Sequence, residues 1–241
     1  MRMLATASLK GGCGKTSIAV FLAMQFYSLR KRVLVIDMDH NNNLTDFFLR
    51  SVEPEKIERG NVYHILHGDK EYERCIYKTS FGVDVIPSTP NLARIEIELA
   101  RDPGALLRFP AFLRKLDYDI VVIDTPPSIS FALTAALYAV NDVLCPVSWS
   151  RWTIQGYSLL AEECLKTSES VGSSIALQAV PSMVSCVELE KLRAVDVWNI
   201  TSSYITRNVA VKNAGTGGRT LKENTKSWLE YEALAMEFLH E

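Results

Sequence analysis

Residues 9–17 read Leu-Lys-Gly-Gly-Cys-Gly-Lys-Thr-Ser, an order of residue types suited to holding a phosphate chain. Gly11, Gly12 and Gly14 let the backbone approach an anion with no Cβ in the way. The loop N–H groups and the first turn of a following helix then face the negative charge. Lys15 supplies a point charge suited to β- and γ-phosphates, and Thr16, with Ser17 behind it, a hydroxyl suited to Mg²⁺. The strict P-loop pattern wants Gly at position 9; here the pattern is K-G-G-x-G-K-[ST], preceded by Leu9 and carrying a second lysine, Lys10. Cys13 reads as a small packing residue, although a helix start can lower a thiol pKa.

Two acids extend the same chemistry. An apolar run ends at Asp37-Met38-Asp39, and another at Asp124-Thr125-Pro126-Pro127. Carboxylates at the carboxyl ends of parallel strands stand where open α/β sheets bind ligands. There they can hold Mg²⁺ directly or through water, or orient an attacking water. A single aspartate after a strand is commonly a turn or N-cap residue. Two of them, beside a phosphate loop, point to a site.

These residues need strands to carry them. Apolar, β-branched runs at 33–36, 83–86, 120–123, 143–147 and 175–180, with a weaker one at 3–7, are continuous rather than alternating, as in parallel strands covered on both faces. Between them, 17–29, 131–140, 154–165 and 227–239 have helical apolar periodicity. The expectation is an α/β fold, a doubly wound, mostly parallel sheet flanked by helices, of the P-loop NTPase type, with residues 1–241 forming one domain. No internal repeat is seen, and Gly215-Thr216-Gly217-Gly218 reads as a flexible loop.

Composition narrows the classes further. The 241 residues are 48% hydrophobic and 22% charged, which excludes a disordered chain. No run of 18 apolar residues and no signal-peptide pattern are present, so neither a membrane span nor secretion is expected. Cys13, Cys75, Cys145, Cys164 and Cys186 are odd in number and form no C-x-x-C pair, which fits a reducing cytoplasm. The net charge of −2 is unevenly spread. Residues 191–226 hold Lys191, Arg193, Arg207, Lys212, Arg219, Lys222 and Lys226 against Asp196 and Glu223. The stretch 227–241 holds Glu230, Glu232, Glu237 and Glu241 and no Lys or Arg. The basic segment reads either as a polyanion-binding patch or as a solvated helix face.

Lys10-Gly11-Gly12-Cys13-Gly14-Lys15-Thr16, residues 33–39, and Tyr118-Asp119-Ile120-Val121-Val122-Ile123-Asp124-Thr125-Pro126-Pro127-Ser128 together resemble the ParA/Soj partition ATPases, which have the deviant Walker A loop of the MinD/ParA superfamily. The resemblance runs over nearly the whole chain: residues 62–68 look like the family's short helix after the second strand, and 86–92 like its third strand and turn. Residues 145–147 look like the end of its fifth strand, and 206–209 like its nucleotide-lining Ile-Pro-Arg-Asn region. The resemblance implies a weak, partner-stimulated Mg-dependent ATPase that partitions plasmid or chromosomal DNA. Its implied ligands are ATP and Mg²⁺. Its implied partners are a second copy in an ATP-sandwich homodimer, a ParB-like centromere-binding protein and nonspecific DNA; no membrane is expected, and the location is cytoplasmic and nucleoid-associated. It assigns Lys10 to the phosphates of the opposite subunit, Lys15 and Thr16 to the nucleotide and metal of their own, Asp39 to the hydrolytic water, and Asp37 and Asp124 to the outer shell of the metal. Arg207 and Asn208 fall on the adenine side.

The sequence departs from the family at three points. Asp39-His40-Asn41-Asn42-Asn43 replaces Asp-Pro-Gln-Gly-Asn, so a switch region loses Pro and Gly; His40 there reads as a polar loop residue. Ala210 stands where a base is common, and residues 183–187 hold none. DNA binding then falls to Lys191, Arg193, Lys212, Arg219 and Lys222. With no segment ahead of the P-loop that could form a helix-turn-helix, operator binding is not expected. The alternative is a MinD/MipZ-like positioning ATPase acting on a membrane or protein surface, against which the acidic 227–241 stretch argues. An iron–sulfur carrier lacks its paired cysteines, and a non-hydrolysing adaptor is disfavoured by intact Lys15, Thr16, Asp39 and Asp124.

Overall fold

The computed structural model describes residues 1–240 apart from 70, 103, 196 and 197. Its strands are β1 (Arg2–Thr6), β2 (Val33–Asp37), β3 (Tyr77–Lys78), β4 (Asp84–Ile86), β5 (Ile120–Asp124), β6 (Asp142–Val147), β7 (Ala176–Val184) and β8 (Ile205–Thr206). The helices are α1 (Lys15–Ser28), α2 (Asn43–Leu49), α3 (Pro54–Arg59), α4 (Val62–His67), α5 (Ile95–Glu98), α6 (Ala105–Leu113), α7 (Phe131–Leu137), α8 (Arg151–Val171), α9 (Cys186–Arg193), α10 (Val209–Gly217) and α11 (Lys226–His240). The strands lie in the order β3-β4-β2-β5-β1-β6-β7-β8, all parallel except the β3–β4 pair. Every strand expected from the apolar runs is present, as are the four expected helices and, at α4, the short helix that the resemblance implied; β3, β8 and the remaining shorter helices are additional. Helix α10 runs through Gly215, Thr216 and Gly217, which the sequence suggested as a loop, with Gly218 as its cap.

The continuous apolar runs are explained by burial on both faces. Successive residues of a strand point to opposite sides. Ala5, Leu34, Ile36, Val121, Ile123 and Val143 enter one layer, under α4, α6, α7, α8 and α9. Leu4, Val33, Val35, Ile120, Val122 and Leu144 enter the other, under α1, α2 and α11.

The acidic last helix docks by two devices. Tyr231, Leu234 and Phe238 are buried, with Tyr231 against Phe21 and Phe238 against Phe26. Each such side chain contributes on the order of 2 kcal/mol by leaving water. The acids do structural work on the other face. Glu230 accepts from the Thr206 N–H (3.0 Å) and hydroxyl (2.7 Å), and Glu237 from the N–H groups of Ser202 and Ser203 (2.6 and 2.7 Å). The carboxylates thus satisfy backbone donors of β8 and of the segment leading into it, at the edge of the sheet. Glu241 lies outside the described residues.

Parallel register puts the carboxyl ends of β1, β2, β5 and β6 at one edge, with Asp37 directly opposite Asp124. The loop leaving β1 crosses this edge and enters α1.

Candidate nucleotide site

The loop's shape depends on two glycines. Gly12 and Gly14 adopt φ +71° and +98°, left-handed conformations that side chains rarely accept. At Gly14 there is also no room: a Cβ would sit 2.8 Å from Ser182 Oγ and 3.2 Å from Met183 Cε. Gly14 is the N-cap of α1 and makes no side-chain cap, so the first N–H groups of the helix are left for a ligand. Inside the loop, the Cys13 thiol and the Lys15 ammonium both donate to the Lys10 carbonyl, at 3.1 and 3.4 Å. Cys13 is buried, as the packing reading expected. The Lys10 ammonium turns the other way and donates to Ser148 Oγ at 3.4 Å, at the junction of β6 and α8.

The acids form a connected layer beneath the loop. Thr16 donates to Asp124 Oδ2 (2.7 Å) and Thr6 to Asp124 Oδ1 (3.0 Å). Burial pushes the Asp124 carboxyl up to about 6, partly offset by the Thr16 hydroxyl and the Lys15 charge. Asp37 is fully buried. Its Oδ1 accepts from the Asp39 N–H (3.0 Å), and its Oδ2 from both the N–H (2.9 Å) and hydroxyl (2.8 Å) of Thr45. Burial, then the neighbouring Asp124, push Asp37 up to about 7 against those bonds. Asp37 is therefore the post that fixes the loop from Asp39 to the first turn of α2.

That loop resolves the departure at residues 39–43. Asn42 stands where the family's loop has Gly, and it adopts φ +47° as the N-cap of α2. Asparagine is the side chain that best tolerates this region, so the loss of Gly leaves the turn intact. Asn41 donates to Asp39 Oδ1 from both its N–H and its amide, each at 2.9 Å. His40 is half-exposed and 3.8 Å from the same oxygen.

Together these elements wall a cleft of about 670 Å³. Gly11, Gly12, Gly14, Lys15, Thr16 and Ser17 form one end with Asp39 and Asn41, while Ser182, Met183, Ile205 and the stretch from Thr206 to Asn208 form the other, closed by Val211, Lys212 and Tyr231. Cys13, Asp37 and Asp124 are buried behind the wall, and Lys10, half-buried, lies outside it, turned to Ser148. Thr6, Asn41, Thr45, Ser148, Met183 and Tyr231 were not singled out in the sequence. Thr45 could have been found as the hydroxyl six residues beyond Asp39, in the first turn of α2; the others have no local signal.

The proposed DNA-contacting bases do not form one patch. Lys191 on α9 lies 5.7 Å from the Trp149 ring, and Arg193 donates to the Ser202 carbonyl at 2.9 Å. Lys212 lines the cleft. Arg219 follows α10, and Lys222 lines a separate groove with Tyr27, Ser28 and Arg30 at the far end of α1. That groove follows α1 from Phe21 to its carboxyl end, away from the phosphate loop. Asp196, counted in the basic segment, lies outside the described residues.

A glycine loop between a central parallel strand and a helix, with two acids at neighbouring strand ends, defines a P-loop nucleotide-binding α/β protein. An AAA domain family model matches residues 1–177. The chromosome-partitioning ATPase Soj of Thermus thermophilus is 33% identical over 235 residues, covering 93% of this chain and 88% of the relative. The chain belongs to the ParA/Soj family of partition ATPases in the MinD/ParA superfamily. Solved structures share the fold. A plasmid partition protein from Borrelia burgdorferi superposes with a TM-score of 0.77 at 24% identity, over 99% of this chain and 98% of that one. Cobyrinic acid a,c-diamide synthase from Mycobacterium smegmatis, with a bound ATP analogue and magnesium, gives 0.84 at 23% identity, over 100% and 95%.

Proposed function

We propose that the chain is an ATP-dependent dimerisation switch of DNA partition, a single ATPase domain that binds and slowly hydrolyses MgATP in this cleft. In its ATP-bound dimer it holds DNA without sequence preference and answers to a ParB-like centromere-binding protein, which speeds hydrolysis. The observation that carries the reading is the separation of the two loop lysines. Lys15 points along the loop's own carbonyls, whereas Lys10 is turned to Ser148 and α8. One cation thus serves the cleft of its own subunit, and the other is available at its edge for a second copy's phosphates.

The donor set fits a nucleotide with its metal. The Thr16 hydroxyl and the Asp124 carboxylate are hard oxygen ligands, and a dication beside Asp124 and Asp37 favours the charged forms that burial opposes. When bound, Mg²⁺ neutralises charge on the phosphate oxygens. Gly11 to Ser17 present N–H groups and the Lys15 charge to the phosphates. Asp39, with Oδ1 held by Asn41, orients the attacking water through its other oxygen. Asp37 positions Asp39, and Arg207 and Asn208 border the base end. Of the expected cations, Lys191 stands on the cleft side of the sheet and is available to DNA there, whereas Lys222 lies in a separate groove; a dimer doubles the phosphate contacts on one rigid body. A protein held this way on bulk DNA is nucleoid-associated. No helix among the described residues is long and apolar enough to cross a membrane.

The test is sedimentation and gel shift with ATP, ADP or no nucleotide, at several salt concentrations. The expected result is a dimer and a DNA complex with ATP alone, both lost in Lys10→Ala while ATP binding persists. An unchanged ATP-dependent dimer and turnover in Lys10→Ala sinks the role across the interface. No ATP-dependent DNA complex at low salt turns the reading to a positioning ATPase.

A further inference from the structure

The base end of the cleft contains a buried phenol that the fold leaves without a partner among the described residues. Tyr231 of α11 is 1% exposed, with its ring 5.2 Å from that of Phe21, and it lines the cleft. Its hydroxyl makes no hydrogen bond among the described residues, yet it is not one of the sealed, unpartnered polar atoms of the interior. It differs from Ser88 Oγ and Thr89 Oγ1, which are sealed in the interior without partners. A phenol buried to this degree ordinarily finds a partner.

Position indicates which part of a ligand it meets. Phe21 lies four residues after Ser17, one helical turn further from the phosphate loop on the same face of α1. Tyr231, stacked at that level, faces the non-phosphate end. The neighbouring carboxamide is already committed. Asn208 Oδ1 accepts from the Ala210 N–H at 2.8 Å, capping α10, and Asn208 Nδ2 donates to Ser227 Oγ at 2.7 Å. Asn208 thus builds the wall, while Tyr231 lines the cleft with a hydroxyl able both to donate and to accept and not committed elsewhere among the described residues.

We infer that the Tyr231 hydroxyl is the hydrogen-bonding contact for the nucleotide base, and that it contributes to the choice among purines. The inference deepens the nucleotide-binding reading above and rests on it. The test is a titration of wild-type protein and Tyr231→Phe with MgATP, MgGTP and magnesium tripolyphosphate. The Phe variant keeps the ring against Phe21, and tripolyphosphate reports on an intact phosphate loop. Loss of one neutral hydrogen bond weakens MgATP by roughly three- to tenfold. Tripolyphosphate affinity is expected to stay the same, and the ratio of ATP to GTP affinity to narrow. Equal MgATP affinity in the two proteins overturns the inference alone, as does an equal loss for tripolyphosphate, which reports a general disturbance. Wild-type protein that binds neither ATP nor tripolyphosphate overturns the nucleotide reading itself.

Discussion

The two ends of the cleft are built differently. At the phosphate end the polar groups are interlocked: Thr6 and Thr16 on Asp124, Thr45 and the Asp39 backbone on Asp37, Asn41 on Asp39, and Cys13 and Lys15 on one carbonyl. The base end is walled by apolar Met183, Ile205 and Val211, an exposed Arg207, and a tyrosine whose hydroxyl makes no hydrogen bond among the described residues. Preorganised donors bind developing charge without reorganising, so the first end is suited to phosphate chemistry. The second can adjust to its ligand. Its strain is confined to Met183, at φ +56°, beside a register shift in the β7–β8 pairing.

The sharpest way to break this contrast is at Lys15. Lys15→Ala removes the cation that faces the phosphates, which makes several charge-assisted hydrogen bonds. MgATP affinity is expected to fall by about 100-fold or more, measured by calorimetric titration. Affinity within about threefold of wild type would show that the base end, not the loop, holds the ligand.

Asp39 separates binding from chemistry within the interlocked end. Asp39→Ala frees Asn41 but leaves Lys15, Thr16 and Asp124 in place. MgATP binding is expected to stay within about threefold, while single-turnover hydrolysis falls by about 100-fold, the scale of a lost proton-handling group. Normal turnover would pass the water to another residue.

The difference between the ends also explains what the sequence could reveal. The phosphate end is local in the chain: the glycines, Lys15 and Thr16 are contiguous, and Asp37 and Asp124 each terminate an apolar run whose periodicity announces a strand. The order of strands, and therefore the facing of Asp37 and Asp124, is a tertiary result that only the β2–β5 pairing makes visible. The base end is assembled from residues 182–183, 205–212 and 231, whose contacts cross the chain and leave no periodic trace; of these only 206–209 were legible, through the family resemblance. The basic segment shows the converse failure. Seven cations counted along 36 residues read as one patch, yet a helix and a loop carry Lys191 and Lys222 to different parts of the surface.

A smaller effect follows from the buried acids. Asp37 and Asp124 hold their protons up to about 7 and about 6, well above free aspartate. Raised folded-state values mean that these groups favour the folded, ligand-free protein most below the unfolded value of roughly 4, and that this contribution is lost as pH rises through 6 and 7. A dication beside them favours the charged forms, so MgATP binding releases protons. Affinity is expected to rise about tenfold between pH 5.5 and 7.5, with proton release read by calorimetry in two buffers of different ionisation enthalpy. The rise is expected to flatten in Asp37→Asn, which retains the shape of the side chain but cannot take or lose the proton. An identical pH slope in the variant would assign the titration to Asp124 and the nucleotide instead.

The smallest expected effect concerns the two basic sites that the fold separates. Lys191 stands at the carboxyl edge of the sheet, near the Trp149 that follows β6, on the same side as Lys10 and the cleft. Lys222 lies at the other end of α1 with Arg30. If dimerisation brings the cleft edges of two subunits together and DNA lies along that assembly, Lys191 reaches phosphate and Lys222 does not. Each lost phosphate contact lowers the slope of log affinity against log salt by about 0.9. Lys191→Ala is therefore expected to weaken the ATP-dependent DNA complex by about two- to fivefold near physiological salt and to reduce the slope by about 1 per subunit. Lys222→Ala should change neither measurably. Both variants should bind MgATP as the wild type does, since neither side chain lines the cleft. Equal losses in the two variants would mean that DNA runs along the side of α1 rather than across the cleft edge, and would tie the DNA surface to the α1–α11 face. A loss in Lys222→Ala alone would move the DNA site away from the dimerising edge, so that ATP would have to act on it through the length of α1.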